Sequence, residues 1–112
     1  MARGWAPDAG DVVWLNFSPH AGREQGGHRP ALVLSPAAYN EKTSLIVCCP
    51  LTTRIKSYPF EVPLQGSPAS VVLADRVKSF DWRSRNAVRK GRVSASELAE
   101  VRAKIGALIG LP

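Results

Sequence analysis

Residues 22–30 read GREQGGHRP and hold the densest chemistry of the chain. Arg23, Glu24, Gln25, His28 and Arg29 surround a Gly26-Gly27 pair, and Pro30 ends the run. A guanidinium such as that of Arg29 donates two parallel hydrogen bonds to phosphate oxygens, so the run suits an anionic substrate. Glu24 and His28 can accept a proton, whereas arginine stays protonated throughout the working range. Thr52 and Thr53 offer hydroxyl donors to the same phosphate. Breaking an RNA phosphodiester without a metal needs three groups: a base for the 2′-hydroxyl proton, a cation for the developing phosphate charge, and an acid for the leaving oxygen. Arg29 fits the cation and Thr52 an added donor, while the base stays open between Glu24 and His28. A solvated turn, with Glu24 paired to an arginine and His28 bracing the loop, is the competing structural reading.

Metal chemistry has little to build on. His20, His28 and the adjacent Cys48-Cys49 match no zinc spacing, and the scattered carboxylates suggest no magnesium cluster, so no metal or cofactor is expected. Neighbouring residues on a strand point to opposite faces, so the two cysteines are read as buried, unpaired thiols of a reducing compartment.

Short strands must position these groups. DVVWLNF alternates, with Val13, Leu15 and Phe17 on one face and Val12 and Trp14 on the other. ALVLS follows the polar run as a second strand, and PAAYNEKT reads as a polar connection. SLIVCCPLTT is a third, largely buried strand, in which Pro50 implies an edge or bulge just before Thr52. FEVPL, with Phe60, Val62 and Leu64 at period two, and SVVLADRVKS continue the strand character, whereas residues 80–92 read as irregular and basic. Ser94 and Glu97 form a capping-box pattern, and Leu98, Val101, Ile105, Leu108 and Ile109 recur at helical spacing before Gly110 and Pro112. Gly106 suggests close packing of that helix. Five or six strands and one helix predict a small, mostly β, barrel-like fold with a C-terminal α-helix.

The 112 residues are enough for one domain, taken as 1–112. Fifteen Lys and Arg against nine Asp and Glu set a net charge of +6, which points to anionic partners, nucleic acid first and an acidic protein segment second. Neither a signal peptide nor a membrane span is apparent, and a cytoplasmic setting is expected.

PDAGDVVWLNFSP, GREQGGHRPALVLSPAAYN, CPLTT, YPFEV, LADRVKS and the capped C-terminal helix together resemble the MazF/PemK family of toxin endoribonucleases, most closely the MazF branch, from about residue 7 to 110. The resemblance implies an SH3-like β-barrel (the PemK/CcdB-like toxin fold) acting as a homodimer. It implies a toxin that cuts single-stranded RNA at a short sequence without metal, leaving 2′,3′-cyclic phosphate and 5′-hydroxyl ends. By motif, Arg29, Thr52 and Glu24 match catalytic positions. Asp75 matches an aspartate used by the PemK branch; that branch has an arginine two residues earlier, where this chain has Leu73, and Asp75 is read as a structural or RNA-positioning residue. Gln25, His28, Thr53, Lys56 and Lys78, with Arg83, are expected to contact RNA. Trp14, Tyr58 and Trp82 offer stacking surface or core contacts. An acidic MazE-like antitoxin is the expected protein partner, occupying the same basic groove. The alternative is a non-catalytic toxin of the same fold that inhibits a protein such as DNA gyrase; an inactive binding module is a third.

Overall fold

The computed structural model describes residues 5–17 and 27–112, so Arg23, Glu24, Gln25 and His20 lie outside the described residues. Among those described, seven strands and two helices follow one another: β1 (Asp11–Asn16), β2 (His28–Val33), α1 (Ala37–Thr43), β3 (Leu45–Thr52), β4 (Glu61–Leu64), β5 (Ser70–Leu73), β6 (Lys78–Asp81), β7 (Val88–Arg92) and α2 (Ala95–Leu108). All strand pairings are antiparallel, in the order β4-β5-β3-β2-β1-β7, with β6 added to β3. The architecture is the mostly β fold with a C-terminal helix that the pattern predicts.

Strand alternation divides the interior in two. Val12, Leu32, Cys49, Val72 and Val101 form one core beneath α2, while Val13, Leu15, Ala31, Ile46 and Cys48 form a second on the opposite face. The adjacent cysteines thus enter different cores, as their strand setting requires. Burial pushes both thiols up to about 12. β3 holds the two halves together, pairing with β6 over Leu45–Cys48 and with β5 over Leu51–Thr52. Pro50 falls between those two partners, where its missing N–H costs no ladder bond. The expected bend before Thr52 is this change of partner.

Three expectations need correction. PAAYNEKT is not a simple connection, because residues 37–43 form α1. Seven residues make no stable helix alone. Here Asn40, fully buried, donates to the Pro7 (2.7 Å) and Ser35 (2.9 Å) carbonyls and accepts from Ser35 Oγ (2.6 Å), and its own carbonyl accepts from Trp82 Nε1 (2.8 Å). Residues 80–92 are not irregular throughout, and SVVLADRVKS is not one strand: β5 ends at Leu73, a turn intervenes, and β6 and β7 follow. Charge masks both, since β7 is a sheet edge whose exposed Arg89 and Lys90 discourage further pairing.

The capping box is formed, with Ser94 Oγ accepting from Glu97 N (3.1 Å) and Glu97 Oε1 accepting from Ser94 N (2.8 Å). The apolar stripe of α2 stops at Ile105, however. Leu108 and Ile109 are exposed, and a methyl group on Gly106 would meet Leu111 only at ordinary contact distance (3.7 Å).

Candidate functional site

Arg29 and Thr52 come from neighbouring strands. The β2–β3 ladder ends at Ala31 opposite Pro50, and Arg29 and Thr52 each lie two residues beyond that pair, so alternation turns both to the same face. Each is still paired on its other side, Arg29 with Leu15 of β1 and Thr52 with Val71 of β5. Arg29 is exposed and Thr52 half-buried, and among the described residues no carboxylate pairs with Arg29.

Thr52 is poised as a donor. Its Oγ1 accepts from Arg54 N at 3.0 Å, so one lone pair is occupied, and its proton is committed to no acceptor among the described residues. A phosphate oxygen between the two strands can therefore receive the guanidinium and this hydroxyl together.

Further cations share that face. Lys78 stands opposite Cys48, four residues before Thr52 on the same side of β3. Arg85 lies over Phe80, which packs on the second core beside Cys48, so it stands on this side too. Arg85 stacks 4.0 Å from the Phe80 ring and donates to the Asn16 carbonyl at 3.0 Å. The sequence shows Arg85 only as one of many arginines; its pairing with β1 makes it part of the site.

The loop after Thr52 is held by Glu61, a buried carboxylate accepting from Ser57 N (2.7 Å) and Lys56 N (2.9 Å). This bond set fixes the turn in which Ser57 adopts φ 62, and it leaves Lys56 exposed beside the site strand. Sequence reasoning passed over Glu61; its signal was a carboxylate at a strand position between Phe60 and Val62. Tyr58 Oη donates to Asp75 Oδ1 at 2.7 Å, and this bond raises the phenol's pKa. Asp75 thus braces the Thr53–Tyr58 loop against the β5–β6 turn.

On the opposite face lies a cleft of about 650 Å³. Residues of β7, β1, β2 and β3 line it, Trp14 and Gly91 among them, together with Arg29 and Thr52. Gln65–Ser70 supply the far wall; this loop hangs from α2 through Glu97 Oε2, which accepts Gln65 N at 2.8 Å. Arg92 also lines the cleft but is committed to buried Asp11, at 2.7 Å.

The remaining predicted residues divide as follows. His28 and Thr53 are exposed next to Arg29 and Thr52; alternation turns His28 to the face away from Arg29, while Thr53 follows the end of β3 and lines the cleft described above. Trp82 is buried, closes the second core and meets Trp5 edge-on at 5.7 Å, so it is no platform for bases. Arg83 covers the Trp82 ring at 4.3 Å and donates to the Glu41 carbonyl. Glu24 and Gln25 lie outside the described residues. Among the described residues no three His, Cys, Asp or Glu side chains gather as ligands.

Comparison with known proteins bears on the same geometry. The profile described as PemK-like, MazF-like toxin of type II toxin-antitoxin system matches residues 8–109. The Escherichia coli (strain K12) endoribonuclease toxin MazF is 52% identical over 111 residues, covering 98% of this chain and all of that protein. The endoribonuclease PemK of Escherichia coli is 31% identical over 108 residues, covering 91% of this chain and 81% of that protein. A crystal structure of MazE-MazF from Deinococcus radiodurans superimposes with a TM-score of 0.86 at 52% identity, over 96% of this chain and 99% of the matched one.

Proposed function

This chain belongs to the PemK-like, MazF-like toxins of type II toxin–antitoxin systems, and from that premise we propose that it is an endoribonuclease whose scissile phosphate lies between Arg29 and Thr52. What supports the reading is that alternation turns both to one face just beyond the last β2–β3 pair, with Thr52 Oγ1 accepting from Arg54 N and its proton committed to no acceptor among the described residues.

In this reaction the 2′-oxygen attacks the adjacent phosphorus, the 2′-O–P bond forms and the P–O5′ bond breaks. The products are a 2′,3′-cyclic phosphate and a 5′-hydroxyl. Negative charge grows on the non-bridging oxygens, where a fixed guanidinium and a fixed hydroxyl donor stabilise it more than they stabilise the ground state. Arg29, protonated throughout, supplies charge and not proton transfer. The 2′-hydroxyl proton goes to a separate base. We assign that role to Glu24, whose place in the sequence matches an acidic position of the family motif; the 5′-oxygen gains a proton as it leaves.

Lys78, Arg85 and Lys56 extend the positive surface along the strand, so single-stranded RNA lies across β2, β3 and β6. The protein works as a homodimer in the cytoplasm, without metal, and is restrained by an acidic MazE-like antitoxin that competes for these cations. Purified protein and a long single-stranded RNA in EDTA test the reading. The wild-type chain should cut at a short recurring sequence, and Arg29→Ala should lose about 100-fold or more in rate. Intact RNA, or an Arg29→Ala variant as fast as wild type, would overturn it.

A further inference from the structure

More than an apolar stripe ties α2 to the rest of the fold. Glu97, Val101 and Lys104 stand at i, i+4 and i+7, which puts them on one side of the helix. Val101 is fully buried with Val62 of β4 in the core beneath. The charged residues on either side of it reach past the two ends of that strand. Lys104 Nζ donates to the Pro59 carbonyl at 2.7 Å, just before β4, and Glu97 Oε2 accepts from Gln65 N at 2.8 Å, just after it. Seven residues of helix advance about 10 Å, close to the length of a four-residue strand, so both bonds form with α2 laid antiparallel along β4.

Each bond holds a segment that borders the site. Residues 53–60 lead from Thr52 to β4, and side chains of other elements set their course. Glu61 accepts from Lys56 N and Ser57 N, Asp75 accepts from Tyr58 Oη, and Lys104 holds the Pro59 carbonyl. Arg54 N of this segment lies on Thr52 Oγ1, so a shift of the segment reaches the hydroxyl. Residues 65–69 wall the cleft that Arg29 and Thr52 also line, and they depend on one contact. Among the described residues, the bond from Gln65 N to Glu97 is the only hydrogen bond they make. The other oxygen of Glu97 serves the helix cap, so one carboxylate fixes both the start of α2 and the wall.

We propose that α2 is a splint for the cleavage site, with Lys104 and Glu97 as positioning residues: Lys104 holds the segment that sets the Thr52 hydroxyl, and Glu97 holds the cleft wall. The inference rests on the nuclease reading. Neither side chain meets the reacting atoms, and the two ties have different consequences. Losing the first misaligns a donor needed in the transition state and lowers kcat. Losing the second loosens a surface that substrate meets on binding and raises KM. A helix that was merely less stable would not separate the two constants in this way.

Steady-state cleavage of a short RNA with one scission site tests this, well below the melting midpoint of every variant. Lys104→Met should lower kcat about 3- to 10-fold with little change in KM, as expected for one lost hydrogen bond. Lys104→Arg, which still donates to a carbonyl, should keep the wild-type rate. Glu97→Ala should raise KM by a similar factor while kcat changes little. Ser94→Ala is the control: it removes half of the capping box and lowers the melting midpoint, yet keeps the Gln65 bond, so its KM should match wild type. Wild-type kcat in Lys104→Met, or wild-type KM in Glu97→Ala, would overturn the splint while leaving the nuclease reading intact. So would a Lys104→Met variant altered in KM alone, the mark of a lost RNA contact. A KM in Ser94→Ala as high as in Glu97→Ala would give the effect to helix stability and overturn it too. A wild-type chain that cuts no RNA would remove both readings.

Discussion

Thr52 shows how much of the site depends on a single proton. With Arg54 N–H on its oxygen, the hydroxyl is oriented to give its hydrogen to a phosphate, and a methyl in the same place gives nothing. Thr52→Val should therefore lose about 100-fold in kcat with little change in melting temperature, while Thr52→Ser keeps most of the rate. Single-turnover cleavage beside a thermal melt separates the two effects. Cys48 and Cys49 make the opposite case. Thiols pushed up to about 12 and sealed in separate cores carry almost no thiolate at neutral pH. Neither should react with iodoacetamide at pH 8 in the folded protein, and both should react in denaturant, as intact-mass measurement will show.

Loops around the strands take their form from carboxylates. Removing the Glu61 side chain leaves the part-buried N–H groups of Lys56 and Ser57 without their carboxylate, so Glu61→Ala should cost about 1–3 kcal/mol in urea unfolding. Glu61→Gln, which keeps one acceptor oxygen, should cost less. Glu97 joins the start of α2 to the Gln65–Ser70 wall. The hydrogen bond from the Ser94 backbone, joined by those from Gln65 N and the Ser94 side chain, holds its carboxyl below the ordinary range against the opposing effect of burial. A carboxyl depressed in the folded state stabilises fully above its unfolded pKa of about 4.3, and that stabilisation disappears as pH falls through the folded value. Melting curves from pH 6 to pH 3 should therefore fall less steeply for Glu97→Gln than for wild type.

For the molecule as a whole, the excess of six positive charges matters through its arrangement. Arg29, Lys78 and Arg85 share one face of the sheet, whereas Arg92 is tied to Asp11 and Arg83 to the Trp82 ring and the Glu41 carbonyl. Affinity for a non-cleavable single-stranded oligonucleotide should fall linearly on a log–log plot against salt. Lys78→Ala or Arg85→Ala should each reduce the slope by about 0.7, and Arg83→Ala by much less.

Local patterns determined a good part of this protein before any fold was known. Alternation in DVVWLNF and FEVPL, the capping box at Ser94 and the family motifs around Arg29 and Thr52 depend on neighbours in sequence, and the described residues bear out each element. Contacts between distant segments were illegible, because no local propensity encodes them. α1 exists through the bonds of Asn40 to Pro7, Ser35 and Trp82, and β7 through pairing with β1. The same physics separates Arg29 from Arg83. Both are arginines in basic stretches, yet strand alternation leaves Arg29 exposed on the same face as Thr52, while packing lays Arg83 on a buried indole. Residue type supplied the chemistry that a phosphate requires; tertiary pairing decided which of the cations remain free to provide it.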